Sequence, residues 1–504
     1  MPKTTNETRT GTRTGTRPAP GEHRTATIVS SLAVTGITVA VMQTLLIPVL
    51  ADLPALLDTT PADATWLLTA TLLASAVSTP VMGRLGDLFG KRRMLLAGLA
   101  VMIAGSLLCA FTDDLVTMIA GRALQGFATS AVPLGIGIMR DRLPREKLGT
   151  AMALMSSSIG MGSALGLPAA ALVAQHADWH LLFFGSAGIG LLSMALTFFL
   201  VPESPVRAVG RFDWPGAIGL GAGLVALLLA ITKGGVWGWS SATTLGLFAL
   251  AFVILFLWGM AELRIAAPLV DLRTTARRDV LLTNLAAFML GIAFYVITLV
   301  LPQLLQLPTS TGHGLGQSMV VAGLCVAPIG IMMILVTPVY ARILATWGPK
   351  TAMIIGMIVM VIGYGAGIGL MNAVWQTVAV AVVVGAGIGL AYSSLPALIV
   401  RAVDQTQTGA ANGMNTLTRS VGTSMSSALT GMVLAHTSQR SGSLIVPSIS
   451  GFRIAFGIAI GALLGGLLLA GFLPSARAAD HSPGARDDQD GPETRDPAPA
   501  KEPR

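Results

Sequence analysis

The segment Gly83-Arg84-Leu85-Gly86-Asp87-Leu88-Phe89-Gly90-Lys91-Arg92-Arg93 sets one acid among four bases and three glycines. Glycine lets two helices meet through a tight reversal without a Cβ clash. Asp87 can pair with a base or with a helix N-terminus, and the basic run holds the turn on one side of a membrane. The chemistry on offer is ion pairing across a helix junction. Two further bases, Arg122 and Arg419, stand inside long apolar runs, where a charge is expensive and faces the protein interior or a cavity. Arg122 either works in such a cavity or caps carbonyls of a neighbouring helix. Arg419 either complements an anionic substrate group or ties helices together. Farther along, Gly162 and Gly166 allow close helix approach, and Pro168 bends its helix.

The elements that must position these residues follow from composition. Of 504 residues, 53% are hydrophobic and 11% charged, against roughly 25% charged in soluble domains. That excludes a water-soluble globule, and with it cytoplasmic enzymes, nucleic-acid binders and secreted disulfide scaffolds. The net charge of +8 therefore reads as loop charge at a membrane, with no nucleic-acid partner. Cys109 and Cys325 lie in apolar stretches, so neither a disulfide nor a metal site is expected. No Gly-x-x-x-x-Gly-Lys-[Ser/Thr] loop is present, so ATP is not the energy source within this chain.

Apolar runs long enough to cross a bilayer recur at 27–50, 64–82, 94–112, 115–138, 149–174, 181–201, 215–232, 242–261, 280–302, 318–340, 351–371, 376–399, 409–435 and 452–473. Each is continuously apolar, which favours helices over barrel strands, so an all-α integral membrane protein of 14 transmembrane helices is expected. Of the 32 Lys and Arg, 27 fall on one face of that arrangement and 3 on the other, placing both the N and C termini in the cytoplasm.

The chain also repeats itself. Thr79 to Arg92 aligns without gaps on Thr337 to Lys350, 258 residues later. The expected organisation is a basic, disordered cytosolic tail at 1–25, a six-helix bundle at 26–205, inserted spans 7–8 at 206–265, a second six-helix bundle at 266–475 and a disordered tail at 476–504. Two such bundles related by an axis along the membrane normal are a transporter design, with substrate held between halves that rock.

The turn from Gly83 to Arg93 resembles the signature turn of the major facilitator superfamily (MFS). With fourteen spans, the chain resembles its drug/proton antiporter branch of the EmrB/QacA type, over roughly residues 27–475. That resemblance implies the MFS fold and a gating motif of Gly83, Arg84, Asp87, Gly90, Lys91 and Arg92, in which Asp87 and Arg84 lock the cytosolic side. The second copy has Ala345 in place of Asp87, so the lock should be asymmetric. The resemblance also implies that Arg122, within Gly121-Arg122-Ala123-Leu124-Gln125-Gly126, takes part in proton transfer. Gly162, Gly166 and Pro168 form an antiporter-like motif. It departs from the family pattern, with Leu167 at the proline position and alanines for the closing glycines.

By the span assignment none of the 24 carboxylates is deep in a helix. A proton carrier needs a group whose pKa answers to burial and partners, which an always-charged arginine cannot supply alone. Coupling is therefore expected to run through Asp52, at the outer end of span 1, together with Arg122. Gln43, Gln125, Asn284, Asn415 and Arg419 are candidates to line a substrate cavity, although hydrogen bonding between helices accounts equally well for the amides. The expected function is proton-coupled efflux of drugs, antibiotics or other amphipathic small molecules. The expected protein is a monomer without cofactor, multi-pass in a bacterial cell (inner) membrane, driven by the proton gradient and not an enzyme. A facilitator or importer of a metabolite is the alternative, and a membrane sensor on a transporter scaffold the third reading.

Overall fold

The computed structural model describes residues 20–49, 52–265, 268–441 and 444–473. Both tails read as disordered lie outside these residues, save that the first helix, Pro20–Thr44, already includes 20–25.

The apolar runs fold as helices because a backbone in lipid must satisfy its own hydrogen bonds. Among the described residues, eleven helical stretches are long and apolar enough to cross a membrane. Four runs depart from a simple span, each for a visible reason. The fourth is broken into Leu115–Gly126 and Ala131–Arg142 by a 3-10 turn at Phe127–Ser130, with Pro133 at the start of its second piece. Gly126 lies so close to the helix Trp66–Phe89 that a Cβ would meet the Thr71 carbonyl at 2.7 Å. The tenth and eleventh runs fall in one stretch, Met319–Gly369, interrupted ahead of Pro328 and at Gly348, where φ is +80°. The thirteenth, Thr408–His436, is rich in Ser, Thr and Asn. It packs between other helices, so its polar face need not meet lipid.

One apolar core joins the helices from Arg278–Gln306 to Ile449–Gly471, and two more fill the helices before residue 201. Across the seam between these halves, Trp66–Phe89 lies on Thr408–His436, and Arg145–His176 lies on the 319–335 segment. The additional pair is held unequally. Helix Trp214–Trp237 rests on both 66–89 and 408–436, and its buried Lys233 donates to the Thr65 hydroxyl at 2.6 Å and sits over the Trp66 ring. Helix Ala242–Glu262 packs on 214–237 and turns Phe252, Phe256 and Leu257 outward, as a lipid-facing surface does. A short hairpin that the run pattern does not predict pairs Ser438–Ser441 antiparallel with Leu444–Pro447.

A polar clamp and a central cavity as the candidate functional site

Asp87 is fully buried three residues from the end of helix 66–89. Its two carboxylate oxygens accept from the backbone N–H groups of Gly409 (3.1 Å) and Ala410 (2.9 Å). These are the first turn of helix 408–436, whose free donors and positive end favour an anion. Lys91, also fully buried, stands 3.4 Å from Asp87 and 2.7 Å from Asp141. Asp141 in turn accepts from the Ser204 hydroxyl. Glycine at 83, 409 and 413 permits the approach, since a Cβ on Gly83 would lie 2.5 Å from the Gly409 carbonyl oxygen.

Arg140 adds a second tie. It donates to the carbonyls of Val403 (2.7 Å) and Asp404 (3.1 Å) and to the Thr408 hydroxyl (2.5 Å). One half thus grips the other by hydrogen bonds, mostly side chain to backbone, of which all but that to Asp404 are buried or partly buried. Removing one member of a buried, paired charge set typically costs about 3–5 kcal/mol.

Of the turn residues expected to gate, the structure brings Asp87 and Lys91 together and leaves Arg84 apart. Gly90 makes the reversal with φ 116°, and Arg92 turns aside to the carbonyls of Thr197 and Phe198 at the end of helix Leu181–Leu200. Arg84 does not pair with Asp87: it is 8% exposed, and its Nε has no hydrogen-bond partner. Lys91 takes the place expected of it, because position 91 heads the next helix and turns back over the carboxylate. Arg140 and Asp141 were missed. The only signal was an acid between two arginines, Arg140-Asp141-Arg142, at the end of the fourth run.

A cavity of about 150 Å³ lies between the halves. Gln43, Thr71, Arg122 and Ser163 line it from one side, and Tyr295 and Thr298 from the other. Gln43 donates to the Thr129 hydroxyl at 3.1 Å. Arg122, 1% exposed, donates to the carbonyls of Leu67 (3.2 Å) and Met42 (3.4 Å) and to Gln125 Oε1 (2.5 Å). Its donors are therefore engaged by helix backbone, as in the carbonyl-capping reading. Asp52 is exposed in a turn at the outer end of the first run and forms no ion pair with Arg122.

Four expected lining residues lie elsewhere. Gln125 is buried behind Arg122 and donates to Ser106. Asn415 donates to Asn284 at 2.9 Å in a contact between helices, and Arg419 stacks 5.0 Å over the Tyr392 ring. None of Gln125, Asn284, Asn415 or Arg419 is among the residues around the cavity. Equal polarity at these positions conceals unequal helix rotation, which sequence does not resolve.

Gly162 and Gly166 seat helix 145–176 on helix 20–44: a Cβ on Gly162 would meet the Ile37 carbonyl oxygen at 2.5 Å, and one on Gly166 the Val41 Cα at 3.2 Å. Pro168 faces Gly323 of the opposite half. The motif is thus a packing surface with both neighbours. Tyr295 and Thr298 were not singled out. They lie one and four residues beyond Phe294, which also lines the cavity. Among the described residues, no three His, Cys, Asp or Glu converge as for a metal ion.

Comparison with known proteins agrees with this architecture. The profile described as Major Facilitator Superfamily matches residues 32–427 and again 283–502. Multidrug resistance protein 3 of Bacillus subtilis is 27% identical over 377 residues, covering 73% of this chain and 72% of that protein. The tetracenomycin C resistance and export protein of Streptomyces glaucescens is 27% identical over 389 residues, covering 74% and 69%. Among solved structures, the human organic anion transporter MFSD10 superposes with a TM-score of 0.63 at 15% identity, over 90% of this chain and all of that one. The proton:xylose symporter XylE superposes at 0.62 and 14% identity, over 90% and 97%. These two show a shared fold alone. With a polar clamp joining two helical halves over a cavity, and a family profile spanning most of its length, this chain belongs to the Major Facilitator Superfamily and is a membrane transporter.

Proposed function

We propose that the protein exports amphipathic small molecules, drugs or antibiotics among them, from the cytosol of a bacterium in exchange for protons. The reading takes it as a monomer of fourteen membrane helices with both termini cytosolic, two six-helix bundles and an inserted pair at 206–265. The broken fourth run, the stretch 319–369 and the polar 408–436 helix supply the passes beyond the eleven of simple apolar length. The observation that carries the proposal is the clamp itself. Asp87, held by Lys91 of its own half, and Arg140 join the halves at the end that bears the basic turns, as expected of a carrier closed on its cytosolic side. Efflux is favoured over uptake by the roles of the relatives, multidrug resistance and tetracenomycin C resistance and export.

Coupling is assigned to Asp52 and Arg122, with the proton gradient as energy source and no cofactor. Asp52→Asn with undiminished, gradient-driven efflux removes Asp52 from that role. A second reading, a facilitator of a metabolite, is favoured by one observation: no carboxylate lines the central cavity. Everted vesicles from a pump-deficient host separate the two. Dye uptake that needs a proton gradient and is lost in Arg122→Ala supports export; equilibration without a gradient supports the facilitator; no flux at all overturns both.

A further inference from the structure

A second cavity, of about 260 Å³, lies at the clamp end of the molecule. Three parts of the chain meet in it: Arg84 from helix 66–89, Arg207 from the segment leading into helix 214–237, and Asn284 from helix 278–306. Asp271, Thr274, Thr275, Thr406 and Gln407 complete its polar lining.

The side-chain acceptors Asp271, Gln407 Oε1 and Asn284 Oδ1 are already used, whereas two buried donors are not. Asp271 accepts from the backbone N–H of Arg273 (3.0 Å) and Thr274 (3.3 Å) and from the Thr274 hydroxyl (2.8 Å). Burial works to raise the Asp271 carboxyl, and these Thr274 and Arg273 bonds outweigh it and hold it below the usual range. The Thr274 hydroxyl also reaches Gln407 Oε1 at 3.3 Å, and Asn284 Oδ1 is taken by Asn415. By contrast, Arg84 Nε and Asn284 Nδ2 are both buried without any partner, in side chains 8% and 4% exposed. Buried polar groups are very rarely left unpaired. Two such donors in one cavity, with the exposed Arg207 guanidinium among its lining residues, make a donor set suited to an oxyanion.

We propose that this cavity binds a phosphate group, whose oxygens accept from Arg84, Asn284 and Arg207. Arginine pairs with phosphate oxygens through two parallel N–H bonds, and the amide of Asn284 supplies a donor from the other half. Because the ligand touches both halves and the lead-in to the additional helix pair at once, it binds the closed clamp and stabilises that state by mass action. This assigns the segments flanking the pair, 207–209 and 268–271, a role as walls of a regulatory site. The phosphate can come from a lipid headgroup or from free phosphate; the chemistry is shared and the source is experimental.

The test uses the full chain in nanodiscs, read by melting temperature and so independent of any transported substrate. In discs of digalactosyldiacylglycerol, whose headgroup carries no phosphate, inorganic phosphate is titrated against chloride at equal ionic strength; in parallel, these discs are compared with discs that also contain phosphatidylglycerol. Stabilisation by phosphate assigns a free anion, and stabilisation only by phosphatidylglycerol assigns a headgroup. In either case Arg207→Gln, an exposed position, should shift half-saturation upward about tenfold. Asn284→Asp, which keeps the bond to Asn415 and brings its own acceptor, should abolish the response. No stabilisation from either source overturns the proposal, as does an unchanged response in both variants.

Discussion

At Gly90 the backbone turns with φ 116° and at Gly348 with φ 80°, two positions 258 residues apart in matching segments. Two residues on, both turns send a cation to the closing helix of their own half. Arg92 bonds the carbonyls of Thr197 and Phe198, and Lys350 bonds those of Gly471 (3.0 Å) and Leu473. The turns part at the third residue before the glycine. Asp87 is buried against the start of helix 408–436, whereas Ala345 is exposed. Leu344 beside it packs towards Gly149 near the start of helix 145–176. The shared geometry serves each half internally, and the charged clamp between halves exists once. A transporter built this way has one polar latch, so opening that end breaks the hydrogen bonds of Asp87 and Arg140 to the opposite half, which the second turn does not contain.

The comparison yields graded tests. Asp87→Ala leaves Lys91 with Asp141 alone and strands two helix-end N–H groups, so it should cost about 3–5 kcal/mol and abolish transport, read by thermal unfolding and vesicle flux. Survival of full activity would show that the latch is dispensable. Gly90→Ala and Gly348→Ala each force a side chain into left-handed backbone, worth roughly 1–2 kcal/mol. The loss of melting temperature should be greater at Gly90, where a Cβ would also press on the Glu203 carboxylate at 2.9–3.1 Å. Arg92→Ala and Lys350→Ala should each lose about 0.3–1 kcal/mol, and their near equality tests the shared duty. Ala345→Asp should be almost silent, within about 0.5 kcal/mol. A large effect there would mean that position 345 itself, beyond the apolar contact of Leu344, meets the opposite half.

Much of the architecture was legible because it rests on local pattern. The runs of apolar residues, the repeat of Thr79–Arg92 and the low charge all announce membrane helices in two related sets. The thirteenth run was readable as a helix although its polarity takes it below a simple apolar criterion. For the site, Asp87 was legible as an acid suited to a helix end, but not the identity of that end. Arg84 and Lys91 are equally basic neighbours of Asp87, and helix direction alone decided that Lys91 closes over it. Gln43 faces the cavity while Gln125 lies behind Arg122, a difference of rotation invisible in residue type. Arg140 passed for an ordinary loop charge because its acceptors are carbonyls, which leave no mark in sequence.

Residence in the bilayer and the duplicated design belong to the sequence, because burial in lipid depends on the length and apolarity of single segments. The pairing of Asp87 with Gly409 and Ala410, more than three hundred residues away, belongs to the tertiary structure. So does the meeting of Arg84, Arg207 and Asn284 around one cavity. Hydrogen bonds act over about 3 Å, and no sequence pattern sets the rotation and depth of two helices that finely.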